Sequence, residues 1–331
     1  MRVGSVCYST DQGIAHLAKA FYDHGVITDV AIFHHSSRVN HPEWFPGAMV
    51  IARRPFDWPE IRAWIDQMDA MLFFETPFDW TILDYCRRKE IRTAITVMHE
   101  CTPRHIPVQP DKWLCPSLLD CEYFPGSPFI PVPVEQPWQE RKWARRFLHN
   151  GGHLGLRGHK GTLEIMRAME FVKSPITLTI RSQDSKGLAD LIRRVPTIKH
   201  DKRVTLSMGG IPYGQLFDGF DVFIMAEKYN GLSLPLAEAR ASGMLVMTSD
   251  RFPMNTWLPR EPLIPVEKYT VASISGAYKE FQEATVRPED IAAKIDQVYD
   301  MDITEYSRSG KAWAEENSWE LLKPRWVEAL S

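Results

Sequence analysis

The chain has 331 residues, 44% hydrophobic and 24% charged, more than one compact core usually needs, so two domains are expected. A formal net charge of -3 excludes bulk attraction of a polyanion, and no run approaches the roughly 18–20 apolar residues that span a bilayer. The opening MRVGSVCY is too short and too lightly apolar for a signal-peptide core, so a soluble cytoplasmic protein is expected.

Val3 to Tyr8 reads as a strand, followed by the turn-rich STDQG (Ser9–Gly13) and an amphipathic helix from Ile14 to Asp23. Thr28 to Phe33 is a second strand. Ala70–Phe74 (strand), Trp80–Lys89 (helix) and Thr93–Met98 (strand) continue the alternation. Strands alternating with helices imply a parallel sheet covered on both faces. Nine prolines fall between Pro103 and Pro137, and proline removes an amide proton and disfavours helix in the residue before it. No regular structure is expected there, which marks a connection between domains.

The α/β rhythm then restarts. Ala144–His149 reads as a strand, and the glycine-rich NGGHLGLRGHKG (Asn150–Gly161) follows it. A helix is expected from Thr162 to Phe171, a strand from Ile176 to Arg181, a helix from Leu188 to Arg193 and strands at Val204–Ser207 and Asp221–Met225. Leu234–Ala241 reads as a helix, Leu245–Thr248 as a strand, and the tail from Pro288 as strongly helical. The expected division is 1–137 and 138–311, both Rossmann-like, with a C-terminal helix of about 312–331 packing back onto the first. A ligand in such a chain sits at the carboxyl ends of the strands.

Five cysteines (Cys7, Cys86, Cys101, Cys115, Cys121) all lie in the first half; an odd number without a secretory signal reads as reduced thiols. His99, Cys101, His105, Cys115 and Cys121 match no compact zinc spacing. Charge is uneven: residues 1–137 carry five more acids than bases, whereas 138–250 carry six more bases than acids. A basic middle suits an anionic ligand.

The most informative segment is NGLSLPLAEARASG (Asn230–Gly243). Glycine permits close backbone approach, proline suits the first helical turn, and the amides and dipole of a helix start attract anions. This segment resembles the donor-binding signature of family-4 retaining glycosyltransferases, usually EGFGLPLLEAMACG. GHKGTLEIMRAM (Gly158–Met169) resembles the KG element that opens the family's second domain. YGQLFDGFDVFIMA (Tyr213–Ala226) is similar to the helix and strand before the signature, and LVMTSD (Leu245–Asp250) to the strand after it. The fold the resemblance implies is α/β of GT-B type, two doubly wound domains facing a cleft.

By that resemblance Lys160 binds the donor diphosphate, with Arg157 as a second cation. Gly231 and the backbone of Leu232, Ser233 and Leu234 cradle the distal phosphate, Glu238 holds the ribose, and Gly210 in the loop Met208–Pro212 contacts the base. Gly13 allows close approach to the donor, and Asp11, Gln12 and His16 are acceptor-side candidates. His99 corresponds to a histidine that faces the transferred sugar in the family, so His99, Lys160 and Asn230 are the implied catalytic groups. One departure stands out: the family's first glutamate is here Asn230, and Glu227 comes three residues too early to replace it without a loop shift.

The implied reaction is retaining transfer from a nucleoside-diphosphate sugar, UDP favoured, to a hydroxyl acceptor. No metal or other cofactor is expected, because the protein supplies the positive charge. Basic clusters at Arg87–Arg92, Arg141–Arg146 and Arg193–Arg203 put a hydroxymethylated DNA base on the acceptor list. The alternatives are a nucleotide-sugar-binding protein without turnover and a phosphorylase or epimerase of the same fold.

Overall fold

The computed structural model describes residues 1–35, 38–51, 58–153 and 158–331. The chain divides into two compact units. The first comprises Met1–Pro133, Ser275–Lys279 and Trp319–Ser331; the second comprises Val134–Ile274 and Glu280–Ser318.

In the first unit, β1 (Val3–Cys7), β2 (Asp29–Phe33), β3 (Met49–Ile51), β4 (Ala70–Glu75), β5 (Arg92–Val97) and β6 (Lys112–Leu114) form one sheet. All neighbours pair in parallel, in the order β3-β2-β1-β4-β5-β6. This is the doubly wound dinucleotide-binding order, which reverses direction between β1 and β4. Every residue of β1 is buried, as a strand covered on both faces requires. Gly4 in β1 has no room for a side chain, since a Cβ there would lie 2.7 Å from Met71 Sδ. Helices α1 (Gly13–Asp23), α2 (Trp58–Ile65), α3 (Thr81–Arg88) and α4 (Leu118–Tyr123) cover the sheet. Phe21 of α1 packs edge-on against Phe74 and against Trp319 and Trp326 of the C-terminal helix.

Two of these elements lie where the prolines argued against regular structure. Strand β6 and helix α4 occupy the proline-free intervals 111–115 and 117–124. The intervals are just long enough for three strand residues and six helical ones. Ser117 caps α4 by accepting the Asp120 amide at 3.1 Å.

In the second unit, β7 (Arg146–Gly152), β8 (Thr177–Ser182), β9 (Val204–Met208), β10 (Val222–Met225) and β11 (Leu245–Thr248) pair in parallel, in the order β11-β10-β7-β8-β9. The reversal falls between β7 and β10. Alternate residues feed opposite faces: Phe147, Val222 and Ile224 enter one cluster, whereas Leu148, Phe223 and Met225 enter another. Helices α5 (Thr162–Ala168), α6 (Ser185–Arg194), α7 (Leu234–Ala241) and α8 (Met254–Trp257) follow their strands. The antiparallel pair β12 (Lys268–Ala272) and β13 (Phe281–Thr285) and helices α9 (Pro288–Val298) and α10 (Thr304–Glu316) complete this unit, and the C-terminal helix α11 (Trp319–Leu330) belongs to the first. The helix expected within Tyr213–Ala226 is a single 3-10 turn, Tyr213–Gln215, and Gly219 at φ +81° turns the chain into β10 instead.

Candidate active site

The switch point of the second unit falls between β7 and β10, where ligands of doubly wound sheets sit. Strand β7 ends at Gly152 (φ +52°). The chain re-enters the described residues at Gly158, runs through His159 and Lys160, and starts α5 from Gly161. Lys160 Nζ donates to the Gly151 carbonyl at 3.0 Å, and a Cβ on Gly152 would sit 2.9 Å from that nitrogen. Burial lowers the Lys160 pKa, and the nearby Glu227 carboxylate works against that fall. Gly161 (φ +69°) lies so close to the end of β10 that a Cβ would be 2.3 Å from the Ala226 carbonyl oxygen. The KG turn therefore needs glycine both for its left-handed backbone and for contact with the neighbouring strand. Arg157 lies outside the described residues.

Beyond β10 the chain forms a turn held by charge. Glu227 is 1% exposed; one carboxylate oxygen accepts the Ser233 hydroxyl at 2.9 Å and the other lies 3.3 Å from Arg251 Nη2. Arg251, also buried, donates to the carbonyls of Asn230 and Phe252. Asn230 (φ +117°) and Ser233 (φ +43°) both adopt left-handed backbone, a cost that non-glycine residues bear only where surroundings enforce it. Asn230 Oδ1 accepts the amides of Leu232 at 2.9 Å and Ser233 at 3.2 Å. These are two of the amides expected to cradle a phosphate, and here the chain's own amide oxygen occupies them. Gly231 is buried, and Leu234 and Pro235 open α7.

Glu238 faces inward from α7, 8% exposed, and burial pushes its carboxyl up to about 7. The Tyr213 hydroxyl donates to Glu238 Oε1. Gly210 is exposed, with nothing within 4 Å of an added Cβ, and its neighbours Met208 and Ile211 present apolar side chains to solvent. His149, fully buried on β7, lies 2.8 Å from both the Ile224 carbonyl and the Thr162 hydroxyl. Desolvation brings its pKa down to about 4, so it is a neutral tie between β7, β10 and α5.

In the first unit, Asp11, Gln12 and His16 occupy the loop after β1 and the first turn of α1, and Gly13 is the first residue of that helix. Gln12 accepts the Thr10 hydroxyl at 3.1 Å, and Asp11 Oδ1 lies 3.5 Å from His41 Nε2. His16 packs on Trp44, whose ring also stacks on His41, and burial lowers the His16 pKa to about 4. Glu75 ends β4 in left-handed backbone (φ +64°); burial and the charge of Glu100 raise its carboxyl to about 7. A surface depression of about 490 Å³ lined by Asp66, Asp69, Lys89 and Arg92 lies at the amino ends of β4 and β5, the wrong end of the sheet for a ligand of this fold.

His99 follows β5 and is fully buried. Its amide and its Nδ1 both lie 3.0 Å from Asp120 Oδ1, and Nδ1 is 3.2 Å from Glu100 Oε2. These three residues bring a nitrogen and two carboxylate oxygens within 4.8 Å of one another. The distances are those of a ring N–H shared between carboxylates, so a proton already accounts for the cluster. Part of each basic cluster is paired. Arg88, Lys89, Arg145, Arg146, Arg193 and Arg203 each pair with an aspartate, and Arg141 is buried against the carbonyls of Phe217 and Phe220.

Sequence reasoning missed Glu227 as a structural centre, along with Arg251, Tyr213, Asp120 and Glu75. None of them falls in a spacing that signals its role, although the near-miss of Glu227 to the signature was visible.

Two doubly wound α/β units with these strand orders define the GT-B fold of glycosyltransferases. Solved structures share it along essentially the whole chain. The lipopolysaccharide outer core galactosyltransferase WaaB, in its apo form, is 12% identical with a TM-score of 0.63, covering 99% of both chains. Anabaena HepE in complex with UDP and glucose is 10% identical with a TM-score of 0.67, covering 100% of this chain and 99% of that one. A glycosyltransferase from Rickettsia africae is 11% identical with a TM-score of 0.67 and the same coverage. No protein-family profile matches the chain, and no curated protein does. Among the described residues no helix is long and apolar enough to cross a membrane.

Proposed function

We propose that the chain is a glycosyltransferase that takes a UDP-sugar and transfers the sugar to a hydroxyl acceptor, with retention and without a metal. The observation that supports this reading is the buried Glu227 after β10, which acts electrostatically on Lys160 of the KG turn and accepts the Ser233 hydroxyl at the start of α7, the helix that also carries the buried Glu238. A cation and a helix start suit a diphosphate, and a buried carboxylate suits ribose hydroxyls. The UDP and glucose in the HepE structure favour UDP as the nucleotide. A phosphate oxygen would replace Asn230 Oδ1 in kind on the amides of Leu232 and Ser233. Lys160 and those amides would stabilise the leaving diphosphate, and His99 would stand beside the transferred sugar.

The test is incubation with a panel of nucleotide-sugars and mixed acceptors, hydroxymethylated DNA included, followed by mass spectrometry of acceptors and assay of released UDP. Activity that K160M and E238Q abolish is expected. Absence of UDP release with every donor and acceptor, water included, would sink the enzymatic reading. The commitment of Asn230 Oδ1 to backbone amides favours a second reading, a nucleotide-sugar binder without turnover; that reading predicts UDP binding in the same panel with no product.

A further inference from the structure

The five cysteines lie in three kinds of surroundings, all within the first unit. Cys7 and Cys86 are buried, and burial pushes both thiols up to about 12. Cys101 is partly exposed, but burial and the charges of Glu75, Glu100 and Asp120 hold its proton in place. Cys115 and Cys121 differ in having each other. Cys115 follows β6 and is buried, its amide donating to the Pro128 carbonyl at 3.0 Å and its carbonyl accepting the Ile130 amide at 2.9 Å. Cys121 lies on α4, keeps exposed surface, and packs against the apolar cluster of Val97, Cys115 and Phe124. The two sulfurs are close enough to act on one another: burial raises the Cys121 thiol, and a hydrogen bond from Cys115 works against that rise.

We propose that Cys115 and Cys121 are a modification site, joined as a disulfide by thiol–disulfide exchange with a low-molecular-weight disulfide. Cys121, the thiol that meets solvent, attacks one sulfur of the oxidant as its thiolate; the oxidant's S–S bond breaks and its first half leaves as a thiol. Cys115 then gives up its proton, attacks Cys121 Sγ and expels the second half. The chain loses two hydrogens with their electrons, and the oxidant is reduced to two thiols. Burial sets both pace and direction. It slows attack by disfavouring the thiolates, and it denies the reduced pair the stabilised thiolate that makes a disulfide easy to reduce. The bond is therefore slow to form and slow to lose. It fastens the end of β6 to a helix of six residues, too short to hold its shape by itself. That helix carries Asp120, which lies 3.0 Å from His99 Nδ1. A packing contact between two thiols would explain their burial but gives no oxidised form.

The experiment incubates the full chain with glutathione disulfide at about pH 8, where the thiolate fraction is larger, and maps it by mass spectrometry without reduction. The wild type is expected to lose two hydrogens and to yield one cross-linked peptide, Cys115 to Cys121, that reducing agent separates. C115S is expected to keep a glutathione adduct on Cys121, because the resolving thiol is gone, and C121S to carry neither adduct nor cross-link. The wild-type map stands by itself if a variant fails to fold. A wild type that retains all five thiols, or a cross-link between any other pair, overturns the proposal. So does an adduct on Cys115 in C121S, or a folded C115S with Cys121 unmodified.

Discussion

Replacing Glu238 with glutamine keeps the side chain's size and removes its charge. Glu238 is 8% exposed, and burial lifts its carboxyl to about 7 from 4.5, against a lowering by the Tyr213 hydrogen bond. A raised folded pKa means that between these values the native chain holds a proton that the unfolded chain has released. Stability is then lost as pH rises through that window and stays lost above it, by about 3 kcal/mol at 1.36 kcal/mol per pH unit. Glutamine has no proton to release, so the stability of E238Q relative to the wild type should climb by that amount between about pH 4.5 and 8. Urea unfolding at several pH values measures it. His149 and His16, lowered to about 4, act in the opposite sense, costing stability as pH falls through 6.5 toward 4. Both are present in the two proteins and cancel in the comparison. Ligand binding should move the other way. Ribose hydroxyls donate to the ionised carboxylate, so wild-type UDP affinity should rise roughly tenfold per pH unit up to about 7. E238Q should lack that dependence, and it controls for the phosphate of UDP, which itself titrates near 6. A stability difference that stays flat from pH 4.5 to 8 would refute the reasoning.

Gly161→Ala forces a side chain into left-handed backbone and against the Ala226 carbonyl. It should cost at least about 2 kcal/mol, read as a lower Tm, and weaken UDP binding with it. Arg251→Met leaves the Glu227 carboxylate buried without its counter-charge, an expected loss of about 3–5 kcal/mol in urea unfolding; a loss below 1 kcal/mol would show the pair to be idle. Lys160→Met removes a buried ammonium whose burial already lowers its pKa. Its Tm should hold or rise while UDP affinity falls roughly 10- to 100-fold by calorimetry, the worth of charge-assisted contacts to phosphate. An unchanged affinity would take Lys160 out of the donor grip.

The fold was legible wherever an element is long or buried enough to impose a pattern. Helix α7 and strand β11 begin and end at the residues read from sequence, Leu234–Ala241 and Leu245–Thr248. Each is a closely packed run bounded by a proline-bearing start or by glycine. Strands β3 and β6 are three residues each, too short for any period to show. Strand β12 has no buried residue in Lys268–Ala272, so no apolar alternation announces it, and only its pairing with β13 makes it a strand. The separate grouping of Ser275–Lys279 with the first unit rests on backbone bonds such as Arg104 to Ala277 and Lys279 to Thr102, which no local sequence pattern encodes.

The candidate site was legible where a single residue type signals its chemistry and illegible where several residues are held together as a unit. Lys160 and Glu238 sit in motifs that show their types directly. At the turn after β10, the sequence shows only that a glutamate is missing at position 230 and that another stands at 227. In three dimensions these departures belong together. Glu227 reaches the turn through the Ser233 hydroxyl and is fixed by Arg251, while Asn230 caps the amides between them. A glycine at 233, the residue of the signature this segment resembles, would sit in left-handed backbone without strain but would have no hydroxyl for Glu227 to hold. Serine at φ +43° costs roughly 1–2 kcal/mol in backbone strain, and a hydrogen bond to a buried carboxylate contributes about 1.5–3 kcal/mol, enough to offset it. The turn therefore keeps a buried carboxylate. Glu227 stands at the end of the strand, held by Ser233 and Arg251, with Asn230 on the amides between them.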